Sequence, residues 1–106
     1  MATKKDAMAE RMAALRQMPT GCHLTKDDIS RIVVTFVRDQ GFPNATDASN
    51  FTADIPVDGI TRRGWAAPIR QRIFKAGCDP KGFGPADCEK AKKVGDISKA
   101  AFKEIQ

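Results

Sequence analysis

The feature that most constrains this chain is the stretch from Thr25 to Gly41. Ile29, Ile32, Val33, Phe36 and Val37 fall at i, i+3, i+4, i+7 and i+8, which gathers five large apolar side chains on one helical face. Thr25 supplies an N-cap, Asp27 and Asp28 suit the positive end of the helix dipole, and Gly41 closes the C-terminus. Phe42, directly after Gly41, fits the hydrophobic contact of a Schellman cap. A stripe this wide has to be covered, so the helix Thr25–Gln40 is the expected centre of the core. Its β-branched run also suits a buried strand over 32–37, which is the competing reading.

The chain has 106 residues, enough for one domain with one core. With 42% hydrophobic and 29% charged residues it reads as a folded domain rather than a disordered tail. One domain over 1–106 is expected, with 1–21 as a helical N-terminal arm. There Thr3 is a cap, Met8, Met12, Leu15 and Met18 recur at helical spacing, and Pro19-Thr20-Gly21 ends the run.

After a polar loop at 43–50, Phe51, Ala53, Ile55 and Val57 alternate with Thr52, Asp54 and Pro56. Asp58-Gly59 is a favoured pair for a two-residue type I′ turn, which would set Val57 opposite Ile60 in a β-hairpin. Pro68 then suits the first turn of a further helix that stops at Gly77, with Trp65, Ile69 and Ile73 spaced four apart. A Gly/Pro-rich connector over 78–85 leads to a helix opened by Pro85, and Asp96 caps a last one. The expected fold is therefore α+β: a small, mainly helical single domain of about five helices with one β-hairpin around residues 51–65.

Charge is placed unevenly. The net charge is +5, yet residues 22–60 carry six acidic and three basic side chains, while 61–106 carry eleven basic and five acidic ones. Between Arg62 and Lys75 stand Arg62, Arg63, Arg70, Arg72 and Lys75 with no acidic residue among them. Such a cluster suits an anionic partner, either nucleic acid held through its phosphates or an acidic protein anchored by Arg and Trp65. The competing reading is internal: the arginines pair with the acids of the preceding segment. A homodimer is a further option.

The segment Asp87–Gln106 has a helix-turn-helix cadence, with Ala91 four positions before Gly95 and a Ser/Lys/Ala-rich helix after it. It resembles the bacterial repressor-type helix-turn-helix over about twenty residues. Its turn is one residue longer than usual, and Lys90 sits where an apolar residue is normal. That resemblance implies Ser98, Lys99 and Lys103 as the residues facing DNA.

No catalytic residue, metal or cofactor is expected. The chain has one histidine and no tyrosine, no nucleophile elbow and no phosphate-binding glycine loop. Asp54 or Asp58 with Asp79-Pro80-Lys81 forms only a nominal D-x-K metal element, set in a Pro/Gly loop rather than a strand. Cys22, His23, Cys78 and Cys88 offer four ligand types without zinc-type spacing, so the three cysteines are expected as free thiols. Without a secretory signal or a membrane-length apolar run, a cytoplasmic protein is expected. The leading functional expectation is a small non-catalytic nucleic-acid-associated or regulatory protein.

Overall fold

The computed structural model describes residues 22–106, so the expected helix over 3–18 lies outside the described residues. Five helical segments follow one another: α1 (Lys26–Asp39), α2 (Gly59–Arg63), α3 (Ala66–Lys75), α4 (Pro85–Lys90) and α5 (Val94–Lys103). α1 packs on α5 along one flank and on α3 along another, and α2 packs on α4.

α1 forms where its local signals converge. The Thr25 hydroxyl accepts from the Asp28 amide at 3.2 Å while the Asp28 carboxylate accepts from the Thr25 amide at 2.9 Å, a reciprocal capping box. Those two bonds hold the Asp28 carboxyl below the usual carboxylate range. Ile29, Val33 and Val37 are fully buried, each contributing about 1.5–3 kcal/mol by leaving water. Gly41 and Gly77 end α1 and α3 at φ of 107° and 111°, a left-handed conformation that a side chain would strain.

No strand is present among the described residues, so the expected β-hairpin is replaced. Two side chains explain why. The Asn50 Oδ1 accepts from the amides of Thr52, Ala53 and Asp54, at 3.2, 2.7 and 3.1 Å, and so consumes donors that a ladder would need. Asp58 then acts as a helix N-cap, accepting from the Thr61 amide at 2.7 Å, and Gly59 opens α2 instead of making a type I′ turn. Ile60, which was to face Val57, is 79% exposed. All that remains of β pairing is one antiparallel bridge between Asn50 and Lys93, which stitches the 47–51 loop to the start of α5.

The last helix begins earlier than expected. Lys93 is its N-cap position, and the Asp96 carboxylate reaches back to the amides of Lys92 and Lys93 at 3.0 and 3.2 Å. Gly95 therefore lies inside the first turn of α5, not in a turn between two helices. Its amide donates to the Asp47 carbonyl at 2.9 Å, and a Cβ on it would stand 3.0 Å from that oxygen. The glycine serves this close approach.

Cys22 and Cys78 form a disulfide with Cα atoms 5.0 Å apart, which corrects the expectation of three free thiols. Only Cys88 is free, and it is buried.

Candidate functional site

The arginine cluster is dispersed into structural roles. Arg62 is 8% exposed. Its Nε donates to the Cys88 carbonyl at 2.9 Å, its Nη2 to those of Glu89 and Ala91 at 2.6 and 3.2 Å, and its Nη1 to that of Val57. The guanidinium also lies 4.6 Å from the centroid of the Phe51 ring. Arg62 is thus the C-terminal cap of α4, supplied from another helix to carbonyls with no partner in their own.

Arg63 pairs with Glu89, Arg70 with Asp79 at 3.1 Å, and Arg72 with Asp39 at 2.9 Å. Arg72 also stacks over Phe36, 5.0 Å from its centroid. Only the Arg72 partner comes from the acidic segment 22–60; Glu89 and Asp79 lie further along the chain. Trp65 is buried edge-on against Phe36 and Phe51, with centroids 5.7 and 5.9 Å away, so the expected Arg/Trp surface does not assemble. Lys75 is exposed and has no ion pair among the described residues.

The three residues taken from the helix-turn-helix cadence separate as well. Ser98 is 3% exposed, with its hydroxyl 3.4 Å from the Asp47 carboxylate. Lys99 and Lys103 are exposed. They line a groove of about 690 Å³ together with Lys26, Lys90 and the half-buried Phe102. A smaller groove of about 310 Å³ shares Lys26 and Lys99 and adds Lys93. Among the described residues the single ion pair made by these five lysines is Lys90 to Asp87, at a loose 3.8 Å.

Carboxylates also line the larger groove, but two are partly spent on the backbone. Asp87 accepts from the Gly84 amide at 2.9 Å, and Asp96 caps α5. Glu104 is the one lining carboxylate left exposed, against a belt of four lysines beside an aromatic ring. Sequence reasoning named Lys99 and Lys103 but missed Lys26, Lys90, Lys93 and Phe102. Lys26 is hidden by Asp27 and Asp28 beside it in the chain, and only the packing of α1 on α5 brings it to the groove.

Candidate chemistry elsewhere is already engaged. Asp54 accepts from the Asn50 amide at 3.0 Å, Asp79 holds Arg70, and the Asp58 carboxyl is kept below its ordinary range by its bonds from Thr61. Burial, with Asp87 adding, pushes the Cys88 thiol up to about 12 against the opposing pull of Arg62, so it stays protonated at neutral pH. Among the described residues no group of three or more His, Cys, Asp or Glu is placed to hold a metal ion, and no helix is long and apolar enough to cross a membrane.

Comparison with protein-family models, with curated proteins and with solved structures returned no match.

Proposed function

We propose that this is a small non-catalytic protein that binds single-stranded nucleic acid along the lysine belt. Lys26, Lys90, Lys99 and Lys103 would take successive phosphates, and Phe102 would offer a face to a base. The observation that carries this reading is the contrast in commitment. The grooves beside α5 are rimmed by lysines with almost no internal partner, whereas the arginines are bonded within the fold. A basic groove that tracks the backbone, with an aromatic platform for bases, is the general solution for binding single strands.

Fluorescence anisotropy with a labelled random-sequence single strand, titrated against salt, tests the proposal. Four phosphate contacts imply a log–log slope of about −3, and Lys99→Glu/Lys103→Glu should weaken binding by more than about tenfold. Arg63→Glu should leave affinity within about twofold. Absence of binding at low salt sinks the reading, and an equal loss from the Arg63 variant moves the site elsewhere.

The disulfide bears on the compartment. It persists in oxidising surroundings and would be held as two thiols in a reducing cytoplasm. Thiol titration of the protein taken directly from its source decides between the two.

A further inference from the structure

The smaller groove beside α5 holds a carboxylate that phosphate binding alone does not call for. Lys26, Lys93 and Lys99 line it, and so does Asp47. Asp47 is exposed and makes no ion pair among the described residues, although three lysines share its groove. Asp96, the other carboxylate in the lining, is turned to the backbone, where it accepts from the amides of Lys92 and Lys93.

Asp47 is also held in place. Its Oδ2 accepts from the Ser30 hydroxyl of α1, and its Oδ1 from the Ser98 hydroxyl of α5 at 3.4 Å. Its own carbonyl accepts from the Gly95 amide at 2.9 Å. Contacts from two helices thus fix where the carboxylate stands before any ligand arrives, which lowers the ordering cost of binding. An ionised carboxylate offers about four acceptor sites, so each oxygen keeps capacity beyond its serine.

What such a groove accepts follows from donors and acceptors. Toward a phosphate the three lysines attract and Asp47 repels. A ligand offsets the repulsion only by bringing a donor next to its phosphate. In a nucleic-acid strand the sugar lies beside the phosphate; ribose carries a 2′-hydroxyl, and deoxyribose has no donor in its place. Base amines also donate to carboxylates, but they vary from base to base, whereas the hydroxyl recurs at every nucleotide.

Resting on the single-strand reading above, we propose that this groove selects ribose. Asp47 accepts a hydrogen bond from a 2′-hydroxyl while the lysines around it hold the adjoining phosphate, so the strand bound along the belt is RNA rather than DNA. A hydrogen bond to a charged group is worth about tenfold in affinity.

Anisotropy at fixed salt, with three labelled single strands of one sequence, tests this. The sequence is built from A and C alone, so no thymine methyl distinguishes the strands. One carries ribose, one deoxyribose, and one 2′-fluororibose, which keeps the ribose pucker without the donor. The ribose strand should bind about tenfold more tightly than either of the others. Asp47→Asn should cut that preference severalfold and tighten the deoxyribose strand, because a charge repelling phosphate has gone. A misfolded variant would tighten nothing. Equal binding of the three strands to the wild type would overturn the proposal while leaving the lysine belt standing. A fluorinated strand that binds as well as RNA would overturn it in favour of sugar pucker, and an undiminished preference in Asp47→Asn would take the contact away from Asp47. Failure of every strand to bind at low salt removes the belt itself, and this inference with it.

Discussion

Two cationic regions of this protein have opposite fates. The arginines at 62–72 face inward or sideways and are held by carbonyls, carboxylates and rings, while the lysines around α5 stand at groove rims almost unpaired. The difference follows from side-chain chemistry. A guanidinium is planar, weakly hydrated and carries five donors, so it can be desolvated over several acceptors at once; an ammonium is strongly hydrated and stays in water. Counting basic residues along a sequence treats the two alike, and it pointed here to the region already consumed by the fold.

The comparison breaks most visibly at Arg62. Arg62→Ala strips partners from carbonyls at the buried end of α4 and should cost about 3–5 kcal/mol in urea denaturation. Arg62→Lys should recover little of this, because one ammonium cannot span the same fork of acceptors. A loss below about 1 kcal/mol would return Arg62 to the list of free cations.

Next in size is the covalent tie beside the arginine-bearing helix. Reduction, or Cys22→Ser, should lower stability by about 2–4 kcal/mol, since the bond closes a 56-residue separation. An unchanged midpoint after reduction would show that non-covalent packing alone fixes the end of α3.

A pH experiment examines the same buried corner, because Cys88 lies where Arg62 caps α4. Its thiol is raised from 9.0 to about 12 in the folded state. Below pH 9 both folded and unfolded chains keep the proton, so the contribution is fully present. As pH rises toward 12 the unfolded chain ionises first, and stability is lost. Cys88→Ala should flatten the alkaline loss relative to wild type, and identical profiles would mean that the thiol sees more water than its burial implies.

The smallest effect belongs to the lysines. Lys99→Glu/Lys103→Glu should change stability by no more than about 0.5 kcal/mol while weakening the proposed single-strand binding by more than about tenfold. A large stability loss would erase the distinction between the two regions.

Legibility in the sequence follows from how local the physics is. α1 was readable because its apolar period, its cap and its stop all lie within seventeen residues and agree. The β-hairpin was misread because Asp-Gly serves a type I′ turn and a helix N-cap equally well, and Asn50, eight residues before Asp58, decided the matter by gathering the amides that follow it. Gly95 looked like a turn residue, but its reason is the Asp47 carbonyl on a distant loop. The roles of Arg62 and Lys26 depend on which helices meet, and nothing near either residue in sequence announces it.

The seating of Arg62 also has a kinetic consequence. α2 is five residues long, far too short to persist alone, and the carbonyls that hold its arginine come from 26 to 29 positions later in the chain. α2 can consolidate only after α4 has arrived, which places it late on the folding path. The stability lost in Arg62→Ala should therefore appear chiefly as a steeper rate of escape from the native state, with the refolding arm of the chevron almost unmoved.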